Sequence, residues 1–257
     1  MKIKNSHYFA GFLRRLFVAS AMVISFSGAV QAADLTWDTV AANGSVTGGT
    51  GAWNTTGTNL TWTSDGGTSN IAWINTPTDN HAIFGDTAGT VTATTVSTNK
   101  ITFQTAGYLI TGSTVTLNGT SPTVTANADA SIASVVAGTT GLIKAGTGKL
   151  TLTAANTYSG GTTVNAGTLQ VGSTAGNPTL PGSYVINSNS TLRIEYATTT
   201  SAATGLTSPT WANYTGAGTL NIAANGIFDY LSTDAALPAG FTGTLKIDGG
   251  RVSTPVG

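Results

Sequence analysis

Between residues 141 and 172 the chain reads GLIKAGTGKLTLTAANTYSGGTTVNAGTLQVG, two short alternating runs held between glycines. Leu150 and Leu152 share one parity, while Lys149, Thr151 and Thr153 take the other. Leu169 and Val171 repeat the arrangement around Gln170. A period of two is that of a strand with one buried face, because successive side chains point to opposite sides. Gly146, Gly148, Gly160, Gly161 and Gly167 fall between the strands, where a sharp corner makes positive φ cheap only for glycine. Asn156 and Tyr158 stand at the central corner, an amide that can satisfy turn backbone groups and a ring that can cover the bend. Such a unit cannot bury its apolar face alone. Stacking it on copies of itself does, which is the logic of a solenoid.

The same rhythm runs through the rest of the chain. Thr90-Val91-Thr92, Ile101-Thr102-Phe103, Leu109-Ile110-Thr111, Val115-Thr116-Leu117 and Val124-Thr125 are brief runs separated by Gly, Asn or Ser, with Val, Ile, Leu and Phe expected inside and Thr outside. Only 8% of residues are charged, against roughly 25% in an ordinary soluble domain. The 50 Thr favour strands and the 33 Gly favour turns. Apolar residues reach 40%, too many for disorder. The 257 residues contain no Cys, so ladder hydrogen bonds and a continuous core must hold the fold. The expected fold is all-β, a right-handed parallel β-helix with roughly 20 to 25 residues per coil.

Lys2, Lys4, Arg14 and Arg15 precede an apolar run from Leu16 to Phe26, and Val30-Gln31-Ala32 follows it. A basic start, a short apolar stretch and small residues at a cleavage point predict a secretory signal peptide over residues 1–32, by the general or the twin-arginine route. Its removal leaves six Lys and Arg against ten Asp and Glu, which gives no basic surface for nucleic acid. Residues 33–90 form a Trp-rich lead-in in which Trp37, Trp53, Trp62 and Trp73 sit on short strand signals. A terminal plug is expected there, since solenoids need caps. Residues 91–257 make the β-helix proper, with a strong repeat at 141–172 and a weaker echo at 216–252. In that echo Gly146 to Leu152 return 70 residues on, and Val164 to Leu169 return 83 residues on as Ile247 to Val252. The unequal offsets predict an inserted loop around residues 231–238.

The constellation Gly141, Leu142, Lys144, Gly146, Gly148, Leu150, Leu152, Asn156, Tyr158, Gly160, Thr162, Val164, Gly167 and Leu169 resembles the autotransporter-associated β-strand repeat position for position. The preceding Trp-rich stretch is similar to the lead-in of such proteins. The resemblance implies a passenger-like β-helix displayed at or beyond the bacterial outer membrane. An autotransporter also carries a translocator barrel, and residues 251–257 show none of its strands.

Chemistry is sparse in this sequence. After residue 32 there remain one His, His81, and one Glu, Glu195. A Ser-His-Asp hydrolase would need His81 as base, and no Gly-x-Ser-x-Gly elbow accompanies it. The acidic pairs Asp229/Asp234 and Asp79/Asp86 read as turn residues, and Asp79, Asn80 and Asp86 lack the spacing of a Ca²⁺ loop. No catalytic residue, cofactor or metal is expected. Trp53, Trp62 and Trp73 are candidate glycan contacts if the Trp cluster is a stacking platform instead of a plug. The Thr-x-Thr pairs at 90–92, 123–125 and 151–153 resemble ice-binding faces, which need Thr in register on successive coils. The leading expectation is an exported, non-enzymatic surface passenger with a structural or adhesive role, at the cell surface, the outer membrane or beyond. Its partner would be a matrix, glycan or cell surface, and its translocator would be supplied elsewhere. The alternative is a secreted carbohydrate-active or carbohydrate-binding β-helix.

Overall fold

The structure is a computed structural model that describes residues 33–76, 80–172, 181–195, 214–223, 227–229, 239–249 and 251–253. Residues 1–32, read above as a signal, and residues 231–238, read as an inserted loop, lie outside the described residues. Every regular element among the described residues is a strand.

The strands build a parallel β-helix. One sheet of ten strands contains eight parallel ones, from Asp34–Trp37 through Leu142–Ala145 to Tyr214–Thr215. A second sheet holds nine strands, all parallel, from Gly51–Trp53 to Thr244–Ile247. A third face carries Val96–Thr98, Val115–Leu117 and Val136–Ala137. The chain visits these faces in turn. Lys100–Phe103, Leu109–Gly112 and Val115–Leu117 make one coil, and Thr123–Ala126 returns to the first face above Lys100–Phe103. From Ala82 to Ile186 the partner on the next coil lies 19 to 23 residues on, as expected, and the interval widens to 28 between Leu192 and Leu220. Nine strands at ~4.8 Å spacing stack to about 40 Å.

The core is a set of ladders along the stack. Leu150, Leu169, Leu192, Leu220 and Leu245 pair in register, and beside them run Leu152, Val171, Ile194 and Ile222, a file that ends on exposed Ile247. Leu150, Leu169, Leu192 and Leu220 are all fully buried. Each contributes roughly 1.5 to 3 kcal/mol by leaving water. The alternation read from the sequence places Val91, Ile101, Phe103, Ile110, Val115, Leu117 and Val124 inside as expected. Leu109 is an exception and faces outward on the nine-stranded sheet, half-buried.

The register of the final coil differs from the sequence offsets. Ile247 stacks on Ile222 in the nine-stranded sheet, not on the face that holds Val164, and Phe241 bridges Gly216 instead. An alternating strand looks the same after a shift of two, so offsets alone do not tell which face a strand joins.

At the other end the parallel stack stops. Asp34–Trp37 pairs antiparallel with Leu60–Thr63, which pairs antiparallel with Ile71–Ala72. Beneath them Trp37, Trp53, Trp62, Trp73 and Phe84 pack as one aromatic cluster, for example Trp62 on Trp73 at 4.7 Å between ring centroids. Phe84 then stacks on Phe103 at 5.4 Å and continues the rings into the helix core.

Candidate functional site

Three of the polar clusters among the described residues bear on a candidate site. The first is the corner of the repeat. Lys144 has the parity of buried Leu142 and stands in an aliphatic ladder between Val124 and Val164, fully buried. Its ammonium bends to the corner and donates to the carbonyls of Ala145 at 2.9 Å, Gly146 at 2.8 Å and Ala166 at 3.0 Å. Three acceptors satisfy all three protons of the head group. Burial still disfavours the charge and lowers its pKa from 10.5 to about 8, with Asp129 opposing the shift. Asn156 works the same way one face on. Its Oδ1 accepts from the Val136 N–H at 3.0 Å and its Nδ2 donates to the Ala154 carbonyl at 3.0 Å. The Tyr158 hydroxyl meets Thr162 Oγ1 at 2.7 Å in the core, where burial raises its pKa. Gly167 has φ +61°, and a Cβ there would sit 2.6 Å from the carbonyl oxygens of Gly146, Thr147 and Gly148. The repeat residues are thus the parts of a tight corner.

The second place joins three adjacent coils on the outer face of the ten-stranded sheet. His81 Nδ1 lies 2.9 Å from Asp34 Oδ1, and His81 Nε2 lies 2.7 Å from Thr102 Oγ1. Carboxylate, imidazole and hydroxyl follow the order of a hydrolase triad. Triad chemistry also needs free N–H donors for a developing oxyanion. On this face the backbone N–H groups of the three strands are spent on the ladder. The Asp34 side chain is 77% exposed, so its pairing with His81 is in open solvent. Sequence reading singled out His81 but not its partners, which come from 47 and 21 residues away.

The third place is a shallow concavity of about 300 Å³ on the nine-stranded sheet. Leu109, Ser131 and Thr151 line it from successive coils in register, with Asp129 and Lys149 at its side. Asp129 Oδ1 accepts the Lys149 backbone N–H at 2.8 Å. None of Asp34, His81 and Thr102 lines it.

The remaining sequence candidates fall as follows. Trp53, Trp62 and Trp73, weighed as glycan contacts, are fully buried and pack on one another, so none presents a ring face to a sugar. Asn80 is buried, accepting the Ala33 N–H and donating to the Ile74 carbonyl, which leaves its side chain committed to structure. Asp86 is a left-handed turn residue whose Oδ2 accepts from Thr87. Asp79 and Asp234 lie outside the described residues. No group of three or more metal-ligating His, Cys, Asp or Glu occurs among the described residues. The Thr-x-Thr pairs do not stack on each other. Thr123 and Thr125 lie between Lys100/Thr102 and Ile143/Ala145, and Thr151 lies between Ser131 and Gln170.

Residues 142–171 match the Passenger-associated-transport-repeat family. The chain is also 40% identical over 221 residues to the adhesin BmaC autotransporter of Brucella suis biovar 1 (strain 1330). The match covers 80% of this chain and 6% of that relative, so the chain spans a small part of its length. No solved structure matches.

Proposed function

From a chain that carries a passenger-associated-transport repeat in a passenger-like β-helix, we infer an exported, non-enzymatic surface passenger with an adhesive role. The observation that carries this reading is the parallel stack, which offers long outer faces built from successive coils. Its resemblance to part of an autotransporter adhesin points the same way. Binding then resides in an extended face built from successive coils. The protein acts at the cell surface, the outer membrane or outside it, against matrix, glycan or a neighbouring cell. Residues 1–32 direct export and residues 33–90 close the end of the helix. In this role the Trp cluster is the plug that ends the stack.

The test is surface binding by the purified full chain, measured on host cells, matrix proteins and a glycan array, with polysaccharide digestion assayed in parallel. Saturable binding without product release supports the reading. Reducing-end release from a polysaccharide, or no binding to any of these surfaces, overturns it.

A further inference from the structure

Six Asn-x-Ser/Thr triplets without proline occur in the chain, at Asn43, Asn54, Asn59, Asn118, Asn189 and Asn213. In a sequence this rich in threonine, composition alone generates such triplets, and geometry has to separate them. Asn213 lies outside the described residues. Asn59 donates its Nδ2 to the Ala52 carbonyl and to Thr61 Oγ1, so its amide nitrogen is occupied. After Asn189 the chain runs straight into a strand, with Thr191 paired to Thr168 and Thr219. At Asn118 no hydrogen bond links the side chain to Thr120.

Asn43 and Asn54 differ from all of these. Asn54 Oδ1 accepts both the Thr56 N–H at 3.0 Å and the Thr56 Oγ1 hydroxyl at 2.6 Å. Asn43 Oδ1 accepts both the Ser45 N–H at 2.9 Å and the Ser45 hydroxyl at 3.2 Å. A backbone N–H can only donate, which fixes the oxygen as the atom facing it and leaves Nδ2 pointing away. Neither Nδ2 has a partner among the described residues. Asn43, Gly44 and Ser45 are exposed, as are Thr55 and Thr56.

That arrangement answers a chemical difficulty. A carboxamide nitrogen is a poor nucleophile because its lone pair is delocalised into the carbonyl. As Nδ2 gives up a proton, negative charge builds on Oδ1, and two donors already aimed at that oxygen stabilise it. The triplet is the acceptor pattern for N-linked sugar on surface turns of exported proteins.

We propose that Asn54, and more weakly Asn43, are acceptor sites for N-linked glycosylation by a transferase that uses a sugar diphosphate. The Nδ2–C1 bond forms as the C1–O bond to the diphosphate breaks. The diphosphate leaves with the bonding electron pair, and the Nδ2 proton passes to a base of the transferase. The weaker rank of Asn43 follows from the longer hydroxyl contact at Ser45. Asn43 lies in an exposed bend and half-buried Asn54 in the segment that follows the Gly51–Trp53 strand, and the proposal does not depend on what the helix binds.

The test is peptide mass mapping of the full chain isolated from its native host, in the wild type and in Thr56→Ala, Thr56→Ser and Thr55→Ala variants. Sugar is expected on Asn54, falling at least tenfold in Thr56→Ala while Thr56→Ser and Thr55→Ala retain it. Retention in Thr56→Ser excludes a folding artefact. A single attached sugar marks a nucleotide-activated donor and a preassembled oligosaccharide a lipid-activated one, and either supports the proposal. Unmodified Asn54 and Asn43, sugar attached only to Ser or Thr oxygen, equal occupancy at Asn118, or an unchanged level in Thr56→Ala would each overturn it.

Discussion

The corner of the repeat makes two separable demands on glycine, and four alanine substitutions isolate them. Gly167 combines a left-handed backbone, φ +61°, with three carbonyl oxygens 2.6 Å from where a Cβ would stand. Gly66 has the left-handed backbone, φ +74°, with nothing within 4 Å. Gly148 has no positive φ, but its Cβ would meet the Ala128 backbone at 2.6 Å. Gly57 has neither constraint. The left-handed conformation costs an L residue roughly 1–2 kcal/mol, which is the expected loss for Gly66→Ala. Forcing a methyl into packed surroundings costs typically 1–3 kcal/mol, the expected loss for Gly148→Ala. Gly167→Ala incurs both, about 2–5 kcal/mol, a large part of a typical stability of about 5–15 kcal/mol. Gly57→Ala is neutral or stabilises by about 0.4–1 kcal/mol through the unfolded chain. Urea unfolding should be followed by far-UV circular dichroism, because Trp37, Trp53, Trp62 and Trp73 all report on one end of the helix. If Gly167→Ala loses no more stability than Gly66→Ala, the close stacking of carbonyls at this corner is wrong.

Stability should rise from about pH 8 to about pH 10, since folded Lys144 releases its proton near pH 8 while the unfolded chain holds it to 10.5. The gain is about 3 kcal/mol at most, and Lys144→Met should flatten it in pH-dependent thermal melts. Above about pH 10 the trend reverses, because burial holds Tyr108 and Tyr184 protonated up to about 12 while unfolded tyrosine ionises near 10. Asn156→Ala strands the buried Val136 N–H and should cost about 1–3 kcal/mol in chemical denaturation, with faster amide exchange at Val136. Trp37→Phe should destabilise more than Trp62→Phe by tryptophan-fluorescence melts. The Trp37 indole N–H donates to the Gly49 carbonyl at 2.9 Å, whereas the buried Trp62 N–H has no partner among the described residues.

Much of this was legible in the residues because the period of a strand is local. Parity alone placed Leu150, Leu152, Leu169 and Val171 inside, and the turn chemistry of Asn156 was readable from its corner. Lys144 shares the parity of Leu142, but its charge hides its burial in the sequence, and only the fold shows the three carbonyls that meet it. What the sequence hid depends on which coil lies over which. Asp34, His81 and Thr102 meet only because their strands are neighbours, and nothing near His81 signals either partner. Val164 and Ile247 match by sequence offset yet lie on different faces, because a Leu-x-Ile strand fits several rungs equally well. The burial of Trp53, Trp62 and Trp73 was likewise undecided by composition, since a stacking platform and a plug use the same residues.

Register is therefore the claim on which both the displayed faces and the corner chemistry rest. The chain has no Cys, so paired spin labels can be placed by cysteine substitution against a clean background. Thr92 and Thr244 are exposed on the second and the last strands of the nine-stranded sheet, seven steps apart. At ~4.8 Å per step and ~3.3 Å per residue for the four residues by which the two positions are offset along the strands, a Thr92→Cys/Thr244→Cys pair should give a narrow distance distribution at ~36 Å by pulsed dipolar spectroscopy. A Thr168→Cys/Thr191→Cys pair on neighbouring strands should instead show strong short-range broadening. A distance below about 20 Å for the first pair, or no broadening for the second, would contradict the stacked parallel helix.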